Sequence, residues 1–431
     1  MSDDSLGKPA YLDHLTGLAG RYHFEQDMEE IIADARKTGV GGFVVLIDID
    51  DFKVINDSYG HDCGDELLMK FVEHLAQVFP EPDMLFRFGG DEFAILLRGA
   101  DAVDVEAKLE ALCARMHEPW DVFDMEIYKA FSAGVVAFFG DGANAGMLIK
   151  QAELAMYDAK QSGRNKYVHF REEMNKKAKD RMHTERLLRR SMEDRFSGFE
   201  VFYQPVIGIE SGTVEGAEAL LRIRDGDNIV MPGDFLPLAD YLELIVPIGD
   251  HVARTAAQQC AKICDMGFKD FSMTLNLSGR QIARKDVVGR ISKVLESEGV
   301  DPGRIAVSIR EDVLQEDAGR AITVAEEMKD VGIGVVLDDF GSNFDSLGHL
   351  KNMPVDMVKT SVSFMENLDG NYATDFLNLL IRMCRDEGKL VCINGVENNK
   401  HYGFCMESGA DYMQGFYMFV PGDAECLERL L

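Results

Sequence analysis

Basic residues are scarce in this chain of 431 residues: 45 Lys and Arg stand against 75 Asp and Glu, a formal net charge of −30. That deficit excludes a nucleic-acid binder working through a broad basic surface. It equally excludes electrostatic docking on an anionic membrane. The acidity is shared about evenly by the two halves, so no acidic tail carries it. Long apolar runs are missing as well. The longest, such as Phe43–Ile47 and Phe93–Leu97, have strand length, far short of a membrane span. The start, Met1-Ser2-Asp3-Asp4, lacks the basic and apolar segments of a signal peptide. The eight cysteines include no CxxC pair. Cys260 and Cys264 have helix-face spacing, but two thiols alone make a poor zinc site. They read as reduced core cysteines of a cytoplasmic protein. A phosphate-bearing ligand must therefore be met by a few placed cations or by metal ions.

Two halves are visible in what is present, as the length suggests. Over residues 11–170 the patterns predict helices at Phe24–Thr38, Asp65–Phe79, Val103–Met116 and Gly146–Gln161. They predict a short strand at Phe43–Asp48 and a strand pair or bend at Ile127–Ala137. Two apolar runs flank Gly89-Gly90, a strong hairpin signal. This is an α+β sandwich. Residues 171–197 are dense in charge and read as a connecting helix, with a ragged stripe at Met174, Met182, Leu187, Leu188 and Met192. Residues 198–431 then show eight strand candidates separated by helical stretches: Val201–Val206, Gly216–Leu221, Ser272–Leu277, Arg304–Ile309, Gly334–Asp338, Asp356–Lys359, Leu390–Asn394 and Asp411–Phe416. That alternation predicts a β/α barrel. Polar residues gather at the strand ends: Glu218, Asn276, Ser308, Asp338, Asp339, Lys359, Asn394 and Gln414. Barrels of this kind carry their sites there.

In the first half, Asp48 ends an apolar strand with Asp50 and Asp51 close behind, and Asp91 and Glu92 follow the glycine pair. Carboxylates at the tips of adjacent strands can share divalent cations, and Mg²⁺ prefers such oxygen ligands. Gly89 and Gly90 let a backbone approach a phosphate closely. Lys53, Lys160 and Arg164 supply cations. Five blocks follow in order: Asp13-His-Leu-Thr-Gly-Leu with Arg21, Asp48–Asp57 with Tyr59-Gly-His and Gly64-Asp65, Arg87-Phe-Gly-Gly-Asp-Glu-Phe, Ala155–Lys160, and Gly163-Arg-Asn. With them, residues 11–170 resemble the GGDEF family of diguanylate cyclases, and the domain is set at residues 1–170.

The resemblance implies an α+β nucleotidyl-cyclase-like fold with a ferredoxin-like core. It implies that Asp48, the Ile49 carbonyl and Asp91 hold Mg²⁺ or Mn²⁺, with Glu92 assisting the metal or proton chemistry. Asn56 and Asp65 would read guanine beside Phe52, and Lys53, Lys160 and Arg164 would hold phosphates. The implied reaction joins two GTP into cyclic di-GMP and pyrophosphate. Each domain carries one GTP, so two must face each other in a homodimer. A carboxylate can accept from guanine N1–H and the 2-amino group, and an amide can serve O6 or N3. The family's product-inhibition Arg-x-x-Asp reads Pro80-Glu-Pro-Asp83 here. Proline has no donor to grip the product, so feedback through this patch is expected to be weak.

In the second half, Tyr203-Gln-Pro-Val, Glu218-Ala-Leu-Leu-Arg222, Asn276-Leu-Ser, Leu337-Asp-Asp-Phe-Gly, Lys359, Gly395-Val-Glu397 and Gln414-Gly-Phe occur in order. Residues 198–431 resemble the EAL family of cyclic di-GMP phosphodiesterases, an α/β family of TIM-like barrels. By that resemblance Glu218, Asn276, Asp338 and Asp339 would be metal ligands, and Lys359 would polarise water. Gln204, Leu220, Arg222 and Gln414 would contact the dinucleotide. Four departures stand out. Ser308 replaces a metal-binding Glu, leaving only Glu311 of that segment, and Asn394 replaces the Glu serving the attacking water. Ser361 ends the triplet that should read Lys-Ile-Asp, and the loop after Asp-Asp-Phe-Gly reads Ser342-Asn-Phe-Asp345.

A two-metal hydrolase needs anionic ligands to hold both ions, and a neutral amide cannot take a proton from water. The hydrolytic site is therefore expected to be dismantled and the ligand-contacting surface retained; rescue by Glu311 or Asp345 is the alternative. The expectation is a cytoplasmic diguanylate cyclase whose barrel is a dinucleotide-binding or dimerising regulatory module. No sensor domain precedes Asp13, so input is expected through the barrel or a partner. Two rivals remain: a non-enzymatic receptor for GTP and cyclic di-GMP, and a phosphodiesterase activated by GTP.

Overall fold

The computed structural model of the chain describes residues 12–80, 85–123, 125–139, 143–341, 350, 353–368 and 371–431, the last stretch without the side chains of 371 and 372. The chain divides into two compact units between Asp180 and Arg181. The division falls inside the helix Glu172–Glu193, the segment expected to connect two domains. Its ragged apolar stripe is not wholly solvated. Leu188 is fully buried against Phe199, Leu221, Ile223 and Phe235 of the second unit. Among the described residues no helix is long and apolar enough to cross a membrane.

The first unit is built on a sheet. Its strands are β1 (Ala19–Gly20), β2 (Gly42–Ile49), β3 (Leu85–Gly89), β4 (Glu92–Arg98), β7 (Phe131–Phe138) and β8 (Lys166–His169), with a separate ribbon of β5 (Trp120–Val122) and β6 (Met125–Ile127). The order is β1-β3-β4-β2-β7-β8, and β2 is antiparallel to both β4 and β7. Both faces of β2 are covered, which is why it reads as a continuous apolar run rather than an alternating one. Phe43, Val45 and Ile47 pack with the helices His61–Val78 and Ala102–Met116. Val44 and Leu46 pack with Arg21–Thr38 and Ala145–Gln161 on the other side. The segment Ile127–Ala137 breaks at Tyr128–Ala130, between β6 and β7. A helix not expected from the sequence, Phe52–Tyr59, follows β2 directly, after Asp51 turns through a left-handed φ of 55°.

The second unit is a TIM-like barrel. Its strands are β9 (Phe199–Gly208), β10 (Val214–Asp225), β12 (Ser272–Leu277), β13 (Ile305–Arg310), β14 (Gly334–Phe340), β15 (Met357–Thr360), β16 (Leu390–Asn394) and β17 (Tyr412–Gln414), with β11 (Asn228–Val230) added outside β10. From β10 round to β17 the neighbours run parallel, but β9 closes the circuit antiparallel to both β10 and β17. This corrects the uniform strand–helix alternation expected above. Only Ile209–Thr213 separates β9 from β10, and a parallel crossover needs a dozen or more residues. Val307, Ile309, Val335, Leu337, Val358, Val391 and Ile393 pack outward against the helices. Period two then turns Ser308, Asp338, Lys359 and Asn394 to the barrel interior. Glu218 sits in the middle of β10 rather than at its end, opposite Gln204 in the β9–β10 register.

Candidate functional site

In the first unit the cross-strand register sets Asp48 opposite Glu92 on β4 and Ser132 on β7. The Ile49 N–H donates to the Asp91 carbonyl at 3.3 Å, so the hairpin turn folds back over the end of β2. That turn needs glycine: Gly89 and Gly90 adopt φ of 137° and 55°. Lys160 Nζ stands 2.7 Å from Asp48 Oδ1. Burial pushes Asp48, Asp91 and Glu92 above the ordinary carboxylate range. Charge repulsion adds to it, from Asp91 on Asp48, from Glu92 on Asp91 and from Asp48 on Glu92, while Lys160 opposes all three. Three carboxylates that repel one another at the end of one hairpin, with Lys160 paired to Asp48, are an oxygen donor set. That chemistry fits Mg²⁺ or Mn²⁺. Among the described residues, no three His, Cys, Asp or Glu side chains are already gathered as a coordination shell; Asp48 is held by Lys160 instead.

Asn56 and Asp65, the pair expected to read guanine, are brought together by a glycine. A Cβ at Gly64 would collide with Asn56 Oδ1, so the Asn56 amide lies directly over the residue preceding Asp65. Phe52 is buried beneath this helix pair, and Lys53, Asp65 and Arg164 are exposed. Pro80 is exposed too, while Glu81-Pro-Asp83 lie outside the described residues.

Several residues of the sequence blocks prove to be braces. Arg87 donates to the Gly90 carbonyl through Nε at 3.1 Å and Nη2 at 2.6 Å, and through Nη1 to Asp13 Oδ1 at 2.7 Å. Asp13 also accepts from the Thr16 N–H and hydroxyl, at 2.8 and 2.7 Å. Burial opposes its charge, yet the Thr16 hydrogen bonds and Arg87 prevail and hold Asp13 at about 2. Asp50, buried, accepts from Ser132 Oγ at 2.8 Å and from the Asn165 N–H at 3.1 Å. It ties the loop carrying Arg164 to the sheet and is not left free for a metal. The sequence blocks contained Asp13, Thr16 and Arg87; only their mutual distances reveal the role.

In the barrel the acids are already matched. Glu218 is bonded by Lys359 Nζ, and it accepts from Asn276 Nδ2 at 2.7 Å and Gln414 Nε2 at 3.1 Å. Burial works against its charge, yet Lys359 and the two amides hold Glu218 below the ordinary range. Asp338 accepts from Ser308 Oγ at 3.2 Å and from the Asp339 N–H at 2.7 Å, with Lys359 at 3.9 Å. Burial raises Asp338, and Lys359 partly offsets that. Asn394 turns its side-chain oxygen back to the Gly395 N–H at 2.9 Å. Ser361 is buried, its N–H donating to the Phe340 carbonyl at 2.9 Å and its hydroxyl accepting from Ser363 at 3.1 Å. Glu311, fully buried, accepts from the Gly341 N–H at 3.1 Å and so anchors the end of β14. Asp345 and its loop lie outside the described residues. This donor set does not fit a pair of divalent ions, because Glu218 is already matched by Lys359 and two amides and Ser308 and Asn394 bring no charge. Of the residues expected to face the dinucleotide, Gln204 and Gln414 are buried and Leu220 is half-buried. Arg222 donates to the Leu221 carbonyl at 2.8 Å and lies 5.7 Å from the centre of the Phe202 ring.

Comparison with known proteins agrees with both halves. The family model "Diguanylate cyclase, GGDEF domain" matches residues 10–166, and the model "EAL domain" matches residues 185–421. The bifunctional diguanylate cyclase/cyclic di-GMP phosphodiesterase MucR of Pseudomonas aeruginosa is 31% identical over 96% of this chain and 61% of its own length. The cyclic di-GMP phosphodiesterase PdeR of Escherichia coli is 30% identical over 97% of this chain and 63% of its own length. The chain thus spans less than two thirds of these curated relatives. Among solved structures, a MucR phosphodiesterase in complex with c-di-GMP is 29% identical, with a TM-score of 0.54 over 57% of this chain and 99% of that one. The S helix–GGDEF–EAL segment of Vibrio cholerae LapD, at 17% identity, shares the fold, with a TM-score of 0.55 over 95% of this chain and 96% of that one. With one family model on each unit and the EAL model spanning more than half of its length, the chain belongs to the GGDEF–EAL family of cyclic di-GMP signalling proteins.

Proposed function

We propose that the first unit is a diguanylate cyclase, condensing two GTP into cyclic di-GMP in a homodimer, and that the barrel is a hydrolytically inactive dinucleotide-binding or dimerising module. The observation that carries the first part is the cluster of Asp48, Asp91 and Glu92 around Lys160 at the Gly-Gly hairpin. The strand order β3-β4-β2-β7 supports a ferredoxin-like cyclase core. Asp48, Asp91 and the Ile49 carbonyl are the residues to hold Mg²⁺ or Mn²⁺, which when bound offsets charge on the triphosphate. Asn56 and Asp65 orient the guanine, and Lys53, Lys160 and Arg164 hold phosphates. In the reaction the 3′-hydroxyl of one GTP bonds to the α-phosphorus of the other as pyrophosphate leaves; Glu92 assists removal of the hydroxyl proton. The same step on the second side closes the dinucleotide. Catalysis is then mainly positioning and charge neutralisation. GTP as substrate agrees with a cytoplasmic location.

Relatives of this chain include bifunctional and phosphodiesterase proteins by name, and a GTP-activated phosphodiesterase is the second reading. Against it stand Ser308 and Asn394, which leave neither the ligand charge nor the base that hydrolysis needs. One assay tests both halves. The chain is incubated with GTP, and separately with cyclic di-GMP, in Mg²⁺ or Mn²⁺, and the products are separated by chromatography. Cyclic di-GMP from GTP is expected. Linear dinucleotide appearing at an ordinary enzymatic rate overturns the reading of the barrel.

A further inference from the structure

Arg310 has no role in any of the above. It follows Ser308 by two residues on β13, so it stands on the strand face opposite Val307 and Ile309, which pack with the helices. The β13–β14 register sets it beside Asp338. Its guanidinium lies 2.9 Å from Asp312 Oδ2 and 3.7 Å from Asp339 Oδ2. Asp339 is fixed in turn by a left-handed φ of 54° and by its N–H bond to Asp338. Lys359 bonds Glu218 and stands 3.9 Å from Asp338. Glu218, Asp338 and Asp339 thus each have a cation of the chain's own within 4.0 Å. A fixed positive charge beside a carboxylate removes much of the attraction a divalent ion would feel there.

We propose that Arg310 is a built-in counter-cation that takes the place of divalent metal at the barrel mouth, so that the barrel meets an anionic phosphodiester through Arg310, Lys359 and Arg222 without metal. The metal-excluding half stands alone. The phosphodiester half rests on the dinucleotide-binding reading above. Arg310 suits this role because a guanidinium stays charged at any working pH and presents several donors. Its contacts with Asp312, and the further attraction of Asp339 and Asp338, strengthen that charge.

Mn²⁺ uptake by the full chain, counted by electron paramagnetic resonance, tests the proposal. Four chains are compared: wild type, Asn394→Glu, Asn394→Glu with Arg310→Thr, and Asn394→Glu with Arg310→Lys. The first unit contributes the same background to all four. Arg310 is 57% exposed in its side chain, so its replacement leaves the core intact, and thermal melting checks each chain for folding. The expected result is one additional ion per chain with Arg310→Thr only. A gain already present in Asn394→Glu, a gain with Arg310→Lys, or no gain in any chain overturns the proposal. In a second measurement cyclic di-GMP is titrated into the wild-type chain in EDTA and in Mg²⁺. Affinities within twofold of each other are expected, with at least a tenfold loss in EDTA for Arg310→Thr. A wild type that binds only with Mg²⁺, or an Arg310→Thr chain that binds as well as wild type in EDTA, overturns the phosphodiester half. A wild type that binds under neither condition counts against the dinucleotide-binding reading itself, and the Mn²⁺ count then decides the role of Arg310.

Discussion

At the hairpin of the first unit, Asp48 pairs with Lys160, Asp91 and Glu92 feel Lys160 at longer range together with Arg87 and Arg21, and all three carboxyls are still pushed up. In the barrel, Glu218, Asp338 and Asp339 face two cations, Lys359 and Arg310; Glu218 is pulled down while burial still raises Asp338. At the hairpin burial is the larger cause and mutual repulsion adds to it, so these carboxyls are costly to ionise. They bind protons more readily than in the unfolded chain, so their ionisation weakens the fold as pH rises past the ordinary carboxylate range. A bound divalent ion removes that penalty. In the barrel Glu218 carries no such penalty, and Asp338 is raised chiefly by burial, with Lys359 offsetting part of it. Two clusters of the same residue types can thus differ in whether they call for an ion, and the deciding residues are the neighbouring cations rather than the acids.

The contrast breaks most visibly on Asp91→Ala. Cyclase turnover should fall at least a hundredfold, about 2.7 kcal/mol in the barrier, measured as cyclic di-GMP formed from GTP in Mg²⁺. Near-normal turnover would remove the acids from the reaction. In the barrel, Arg222→Ala should weaken cyclic di-GMP binding by about 1.5–3 kcal/mol by calorimetry, the contribution of one charge-assisted phosphate contact. An unchanged affinity would place the ligand elsewhere. A smaller effect concerns the brace at the hairpin. Asp13, held at about 2 against an ordinary 3.8, adds stability that is full above pH 4 and is lost as pH falls through about 2. Allowing for partial exposure, it contributes about 1–2 kcal/mol. Acid melting of Asp13→Asn should lack that share of the decline, and parallel curves for both chains would count against the brace. The smallest effect is expected at Pro80: cyclic di-GMP added to the working cyclase should slow it less than about twofold through this patch, since proline offers no donor. Strong non-competitive inhibition that survives Arg222→Ala would point to another product site in the first unit.

How far the sequence carries depends on the range of the interaction. The Gly89-Gly90 turn and the buried strand β2 are local patterns and are legible in a few residues. So is the loss of charge at Ser308 and Asn394, each of which lies within a short motif. The Arg87–Asp13 bond joins residues 74 apart, and nothing in either block announces the other. The direction of β9 is also invisible in Val201–Val206, because apolar alternation carries no polarity. The five-residue gap at Ile209–Thr213 did hold the answer, being too short for a crossover. Arg310 needed the register of two parallel strands before its neighbours could be named.

The reversed strand β9 has a mechanical consequence. Running against β10, it begins at Phe199 beside Ile223, at the same end where the parallel strands finish and the barrel opens. Chain arriving from the helix Glu172–Glu193 therefore enters at the rim, with Leu188 wedged against Phe199 and Ile223. Five residues farther along, roughly 17 Å at strand rise, Gln204 stands opposite Glu218. A tilt of that helix pulls directly on the strand that carries Gln204. The helix is thus a handle fixed to the lip of the vessel rather than to its base.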